Sequence, residues 1–90
     1  MLQSAQIRAA RAMLAWHQEH LAKAAKTGLA TIARIERQDG PAQGHVSTMI
    51  RIQQALERAG IRFLEDDGDG YGVRLNPNIR QRTVPRRRKR

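Results

Sequence analysis

The stretch WHQEHLAKAAKTGLATIARIE, Trp16 to Glu36, constrains this chain most. It reads as two short amphipathic helices with a break between them. Leu21, Ala22 and Ala25 share one face of the first, and Ile32 and Ile35 mark the core side of the second. The break is unusual. A tight turn after a helix favours a left-handed glycine, followed by a Ser or Thr cap two residues on. Here Lys26 stands in the glycine's place and Gly28 in the cap's. Gly28 serves as a modest N-cap. Lys26 either takes the left-handed conformation at a small cost, or the bend shifts toward Gly28.

Helical spacing extends to both sides. Ser4 is placed to cap a first helix over about Ala5 to Leu14, with Ile7, Ala10, Met13 and Leu14 at helical intervals. Trp16 falls at the junction, where its ring would wedge between the first two helices as part of the core. The second helix starts near Gln18 and the third near Leu29. The segment RQDGPAQGH then breaks the pattern with Asp-Gly-Pro turn chemistry. Ser47 is placed to cap a fourth helix with apolar positions Met49, Ile50, Ile52, Ala55, Leu56 and Ala59, closed by Gly60. After Gly60 the period changes. Ile61/Phe63 and Val73/Leu75 alternate on either side of DDGDG, which predicts a small antiparallel hairpin ended by Asn76-Pro77. A two-stranded hairpin is marginal alone, so it must pack on the helices or pair with a second chain. The expected fold class is mainly α. Four helices fill residues 1–60, a β-hairpin 61–76, and a basic flexible tail 77–90.

Ninety residues make one small domain. The absence of cysteine excludes disulfides and cysteine-ligated zinc, and fits a reducing compartment. No apolar run approaches the roughly 18–20 residues of a membrane span, and the N-terminus carries no signal-peptide core. A cytoplasmic location is the default. The net charge of +9 is unevenly placed: +4 over residues 1–60, −2 over 61–79 and +7 over 80–90. The last segment, RQRTVPRRRKR, cannot bury a core and is expected to be disordered unless bound. Its partner should be a polyanion, nucleic acid ahead of an anionic membrane surface; a solubilising tail is the plainer alternative.

The segment QEHLAKAAKTGLATIARIERQDG resembles the core of the lambda-repressor-like, or Xre/Cro, helix-turn-helix family. Together SAQIRAARAMLAWHQEHLAKAA and GIRFLEDDGDGYGVRL are similar to short bacterial Xre-type regulators with four helices and a C-terminal β-hairpin. The resemblance covers about residues 2–76. It implies a lambda-repressor-like domain, a bacterial cytoplasmic protein that joins the nucleoid when bound, and no cofactor. It also implies that Gln18 contacts a phosphate from a helix N-terminus, where free N–H groups favour an anion; a plain surface glutamine is the alternative. Arg11 and Glu36 occupy positions that the family pairs in a partly buried salt bridge.

From the residues themselves, two helices joined by a short turn present the second as a ridge for the major groove, which is about 12 Å wide. Base contacts would come from Leu29, Ala30, Thr31 and Arg34. Arg34 leads, because a guanidinium bonds guanine O6 and N7 together; a phosphate or solvent contact is its alternative. Lys26, Thr27, Arg37 and His45 would reach phosphates. In the tail, Arg86, Arg87, Arg88, Lys89 and Arg90 would add contacts. Enzymatic readings are weak. His17 and His20 lie three apart without a third metal ligand, and DDGDG lacks the closing glutamate of a calcium loop. One Phe and one Tyr make a poor stacking set for single strands.

The expected partners are double-stranded DNA and a second copy of the chain, with a protein partner as the alternative; no membrane is expected. The leading expectation is a non-enzymatic, sequence-specific transcriptional regulator, a homodimeric repressor or autoregulator reading an inverted repeat through helix 3. The alternatives are an antitoxin or interaction module that binds a protein through the hairpin, and a sequence-neutral nucleic-acid coater.

Overall fold

Apolar residues at helical spacing, interrupted by turn formers, give α1 (Ser4–Leu14), α2 (Gln18–Ala25), α3 (Leu29–Glu36) and α4 (Val46–Arg58) in the computed structural model, which describes residues 2–79. The hairpin follows as β1 (Ile61–Leu64) and β2 (Gly72–Leu75). The chain is mostly helical with one two-stranded antiparallel sheet. Among the described residues no helix is long and apolar enough to cross a membrane. Residues 77–79, the first of the segment expected to form the basic tail, are helical. The expectations for 80–90, including Arg86, Arg87, Arg88, Lys89 and Arg90, lie outside the described residues.

The core is built from the predicted faces. Ile7, Leu14, Leu21, Ile32, Ile35, Ile52 and Leu56 are all buried, with Ala10, Ala25, Ala55 and Ala59 where helices approach closely. Ile61 joins them from the hairpin, and Trp16, Phe63, Val73 and Leu75 pack partly buried against the cluster. Two of the apolar positions at helical spacing lie outside the core: Met13 is 44% and Ile50 50% exposed. Each sits at helical spacing on the margin of its helix's apolar stripe, where packing rather than periodicity sets burial.

Two caps also differ from expectation. Ser4 is the first helical residue of α1 rather than its cap. It is fully buried, and its hydroxyl donates to the Ile35 carbonyl at 2.7 Å. Gln3 caps α1 in its place, with the Gln6 side chain accepting the Gln3 N–H at 2.8 Å. α4 begins one residue before Ser47, with His45 as N-cap. Gly60 follows α4 with φ +110°, which suits glycine.

The hairpin packs on the helices rather than standing free. Its register is Ile61↔Leu75, Arg62↔Arg74, Phe63↔Val73 and Leu64↔Gly72. The buried Gln6 amide nitrogen donates to both Leu64 and Gly72 carbonyls, at 3.2 and 3.0 Å. One α1 side chain thus clamps both strands at the last pair of the ladder.

Candidate nucleic-acid interface

The break between α2 and α3 closes through Lys26. Its φ and ψ are 56° and 49°, the left-handed region, and Gly28 is the N-cap of α3. The Thr27 N–H donates to the Ala22 carbonyl at 3.0 Å and Lys26 N–H to Lys23 at 3.2 Å. α1 ends in the same way. Ala15 has φ 57°, with Trp16 N–H on the Arg11 carbonyl and Ala15 N–H on Ala12. These are two Schellman endings built on non-glycine residues. The one at Ala15 was missed, although only two residues separate Leu14 from the cap of α2.

α3 buries Ile32, Ile35 and Glu36. At 3.6 residues per turn the opposite ridge is Ala30, Arg34 and Arg37, and all three are exposed. Leu29, at the first position, is 45% exposed. Thr31 and Ala33 flank the ridge half-buried, so Thr31 reaches outward less than expected. Lys26 is exposed and Thr27 half-buried in the turn. Among the described residues, the side chains of Lys26, Arg34 and Arg37 have no hydrogen-bonding or ionic partner. His45 is exposed at the start of α4, whose first turn carries no acid.

Other arginines are committed to the scaffold. Arg11 forms a two-pronged pair with Glu36, Nε to Oε2 at 2.7 Å and one terminal nitrogen to Oε1 at 2.8 Å, and its other nitrogen donates to the Trp16 carbonyl at 2.9 Å. Glu36 is 3% exposed and the Arg11 side chain 21%. Hydrogen bonding to Glu36 holds the Arg11 pKa above its ordinary value, against the opposing effect of burial. Arg8 donates to the Glu36 carbonyl, and Arg51 donates to the Ala25 carbonyl at 3.0 Å. Each therefore occupies an orphan carbonyl at the end of a two-turn helix. Arg8 and Arg51 were not singled out from the sequence; their only signal was a basic residue spaced to face another helix's end.

Gln18, expected at a phosphate, has a partner within the protein. Its amide nitrogen donates to Glu36 Oε1 at 3.1 Å, so it belongs to the ion-pair network. The buried carboxylate has lone pairs to satisfy, and Gln18 supplies one donor. His17 and His20 also have a local role. His20 Nδ1 accepts the His17 N–H at 3.2 Å at the start of α2, and the rings stack 5.8 Å apart. Among the described residues no three potential metal ligands cluster. Compared with protein-family models, curated proteins and solved structures, the chain finds no match.

Proposed function

We propose that this chain is a sequence-specific double-stranded DNA-binding transcriptional regulator, a homodimeric repressor or autoregulator that reads an inverted repeat through α3. The observation that carries the reading is the division among its arginines. Arg8, Arg11 and Arg51 are tied to the scaffold, whereas Arg34 and Arg37 stand unpaired on the exposed ridge of α3, the short helix that Arg8 and Arg11 hold in place. Such a ridge suits the major groove. Arg34 bonds guanine O6 and N7, and Leu29 and Ala30 meet thymine methyls. Lys26, Thr27, Arg37 and His45 hold phosphates, and Gln18 keeps α2's N-terminus in line through Glu36.

A binding-site selection from random duplexes tests this. The expected motif is an inverted repeat with half-sites about 34 Å apart, or a multiple of that. Arg34→Ala should weaken the selected site by about 1–3 kcal/mol and relax one base position. Selection without any enriched motif overturns the reading. Equal loss on random DNA removes Arg34 as a base reader.

A further inference from the structure

We propose that the face of the hairpin carrying Arg62 and Arg74 is a self-association surface, and that its occupant is the same face of a second copy of this chain. The register sets Arg62 directly across the ladder from Arg74. Both are exposed, and among the described residues neither side chain has a hydrogen-bonding or ionic partner. Like charges directly opposite are unfavourable, and the pair gains from an anionic neighbour. The hairpin carries acids of its own, yet none of Glu65, Asp67 or Asp69 lies within ion-pair distance of these arginines. A shallow depression of about 680 Å³ is lined by hairpin residues alone and presents both signs, Arg62 and Arg74 with Asp67 and Asp69. Tyr71, 51% exposed, lies on the same surface.

This mixture selects the partner. A nucleic acid is repelled by the acids, and a cationic peptide by the arginines. A two-fold-related copy offers acids to the arginines and arginines to the acids, and symmetry repeats the contact. An isologous interface requires such self-complementarity, and complementary potentials set register and exclude wrong partners. The inference rests on the homodimer of the reading above. It is tested without DNA, so its failure leaves the reading face of α3 untouched.

The test is sedimentation equilibrium of the full chain at micromolar concentrations, with two charge-reversed variants, Arg62→Glu/Arg74→Glu and Asp67→Lys/Asp69→Lys, checked for fold by circular dichroism. Wild type is expected to dimerise. Each variant alone should dimerise about tenfold more weakly or worse, and an equimolar mixture should recover a heterodimer in native mass spectrometry. A monomeric wild type, or a mixture that recovers nothing, overturns the proposal. So does undiminished dimerisation of both variants, which would move the interface to another face such as Val46 and Ile50 on α4. Dimerisation lost only in the acidic-loop variant also overturns it, and points to the basic segment 80–90 as the occupant. Should a reversal fail to fold, Arg62→Gln/Arg74→Gln must weaken the dimer while Val46→Ser/Ile50→Ser leaves it unchanged; the opposite order overturns the proposal.

Discussion

Lys26 and Ala15 share one backbone conformation and differ in charge, which makes them a matched pair. A left-handed L-residue costs roughly 1–2 kcal/mol, and glycine removes that cost while adding unfolded-state freedom worth about 0.4–1 kcal/mol. Lys26→Gly and Ala15→Gly should each stabilise the chain by up to about 1 kcal/mol in urea unfolding. Only Lys26→Gly should weaken DNA binding, as read by fluorescence titration. Equal binding by both variants would separate the odd turn from DNA contact. At Arg11 and Glu36 the two deletions should be unequal. Arg11→Ala strands a carboxylate that is 3% exposed, whereas Glu36→Ala leaves a guanidinium with access to water. The first should cost about 3–5 kcal/mol and the second less. Urea midpoints in the reverse order would contradict the burial seen here.

At the scale of elements, each two-turn helix depends on others for its ends. α2 and α3 are too short to stand alone in water, and Arg51 and Arg8 occupy their last carbonyls from α4 and α1. The hairpin loop has a comparable internal tie. Asp66 Oδ1 accepts the N–H groups of Gly68 and Gly70 at 2.9 Å each, and these bonds hold its carboxyl pKa below the ordinary value. The folded loop therefore binds a proton less readily than the unfolded chain. Its contribution is complete above the ordinary aspartate pKa of about 3.9 and disappears as pH falls through the lower folded value. The amide resonances of Gly68 and Gly70, followed by NMR from neutral to strongly acidic pH, should titrate together with a midpoint below about 3.9. Asp66→Ala should abolish that step. A midpoint at or above the ordinary value would show that the two bonds do not persist in solution.

For the whole molecule, charge is divided along the chain. The helical part and residues 80–90 are basic, and the hairpin segment is acidic overall. Counterion release makes each phosphate contact visible as a slope of log affinity against log salt, about −0.9 per contact on duplex DNA. Removing residues 80–90 should weaken binding to all sequences alike and flatten that slope. An unchanged slope would show that these seven basic residues do not touch DNA.

Much of this architecture was legible in one dimension. The periodicities of Ile7, Leu14, Leu21, Ile32, Ile35, Ile52 and Leu56 identify core faces, because burial follows a 3.6-residue repeat whatever the neighbours are. The break at Lys26 and the cap at Gly28 are likewise local chemistry. The alternation of Ile61/Phe63 and Val73/Leu75 marks strands for the same reason. Tertiary structure alone decided which arginines are free. Arg8, Arg11, Arg34, Arg37 and Arg51 are alike in sequence, and only the approach of another helix's end, or of Glu36, separates a scaffold tie from an exposed cation. It also decided that Ser4 bonds Ile35 from the core, that Gln18 serves the buried carboxylate, and that Arg62 stands opposite Arg74. Each of these depends on contacts between residues distant in sequence, which helical or strand spacing does not encode.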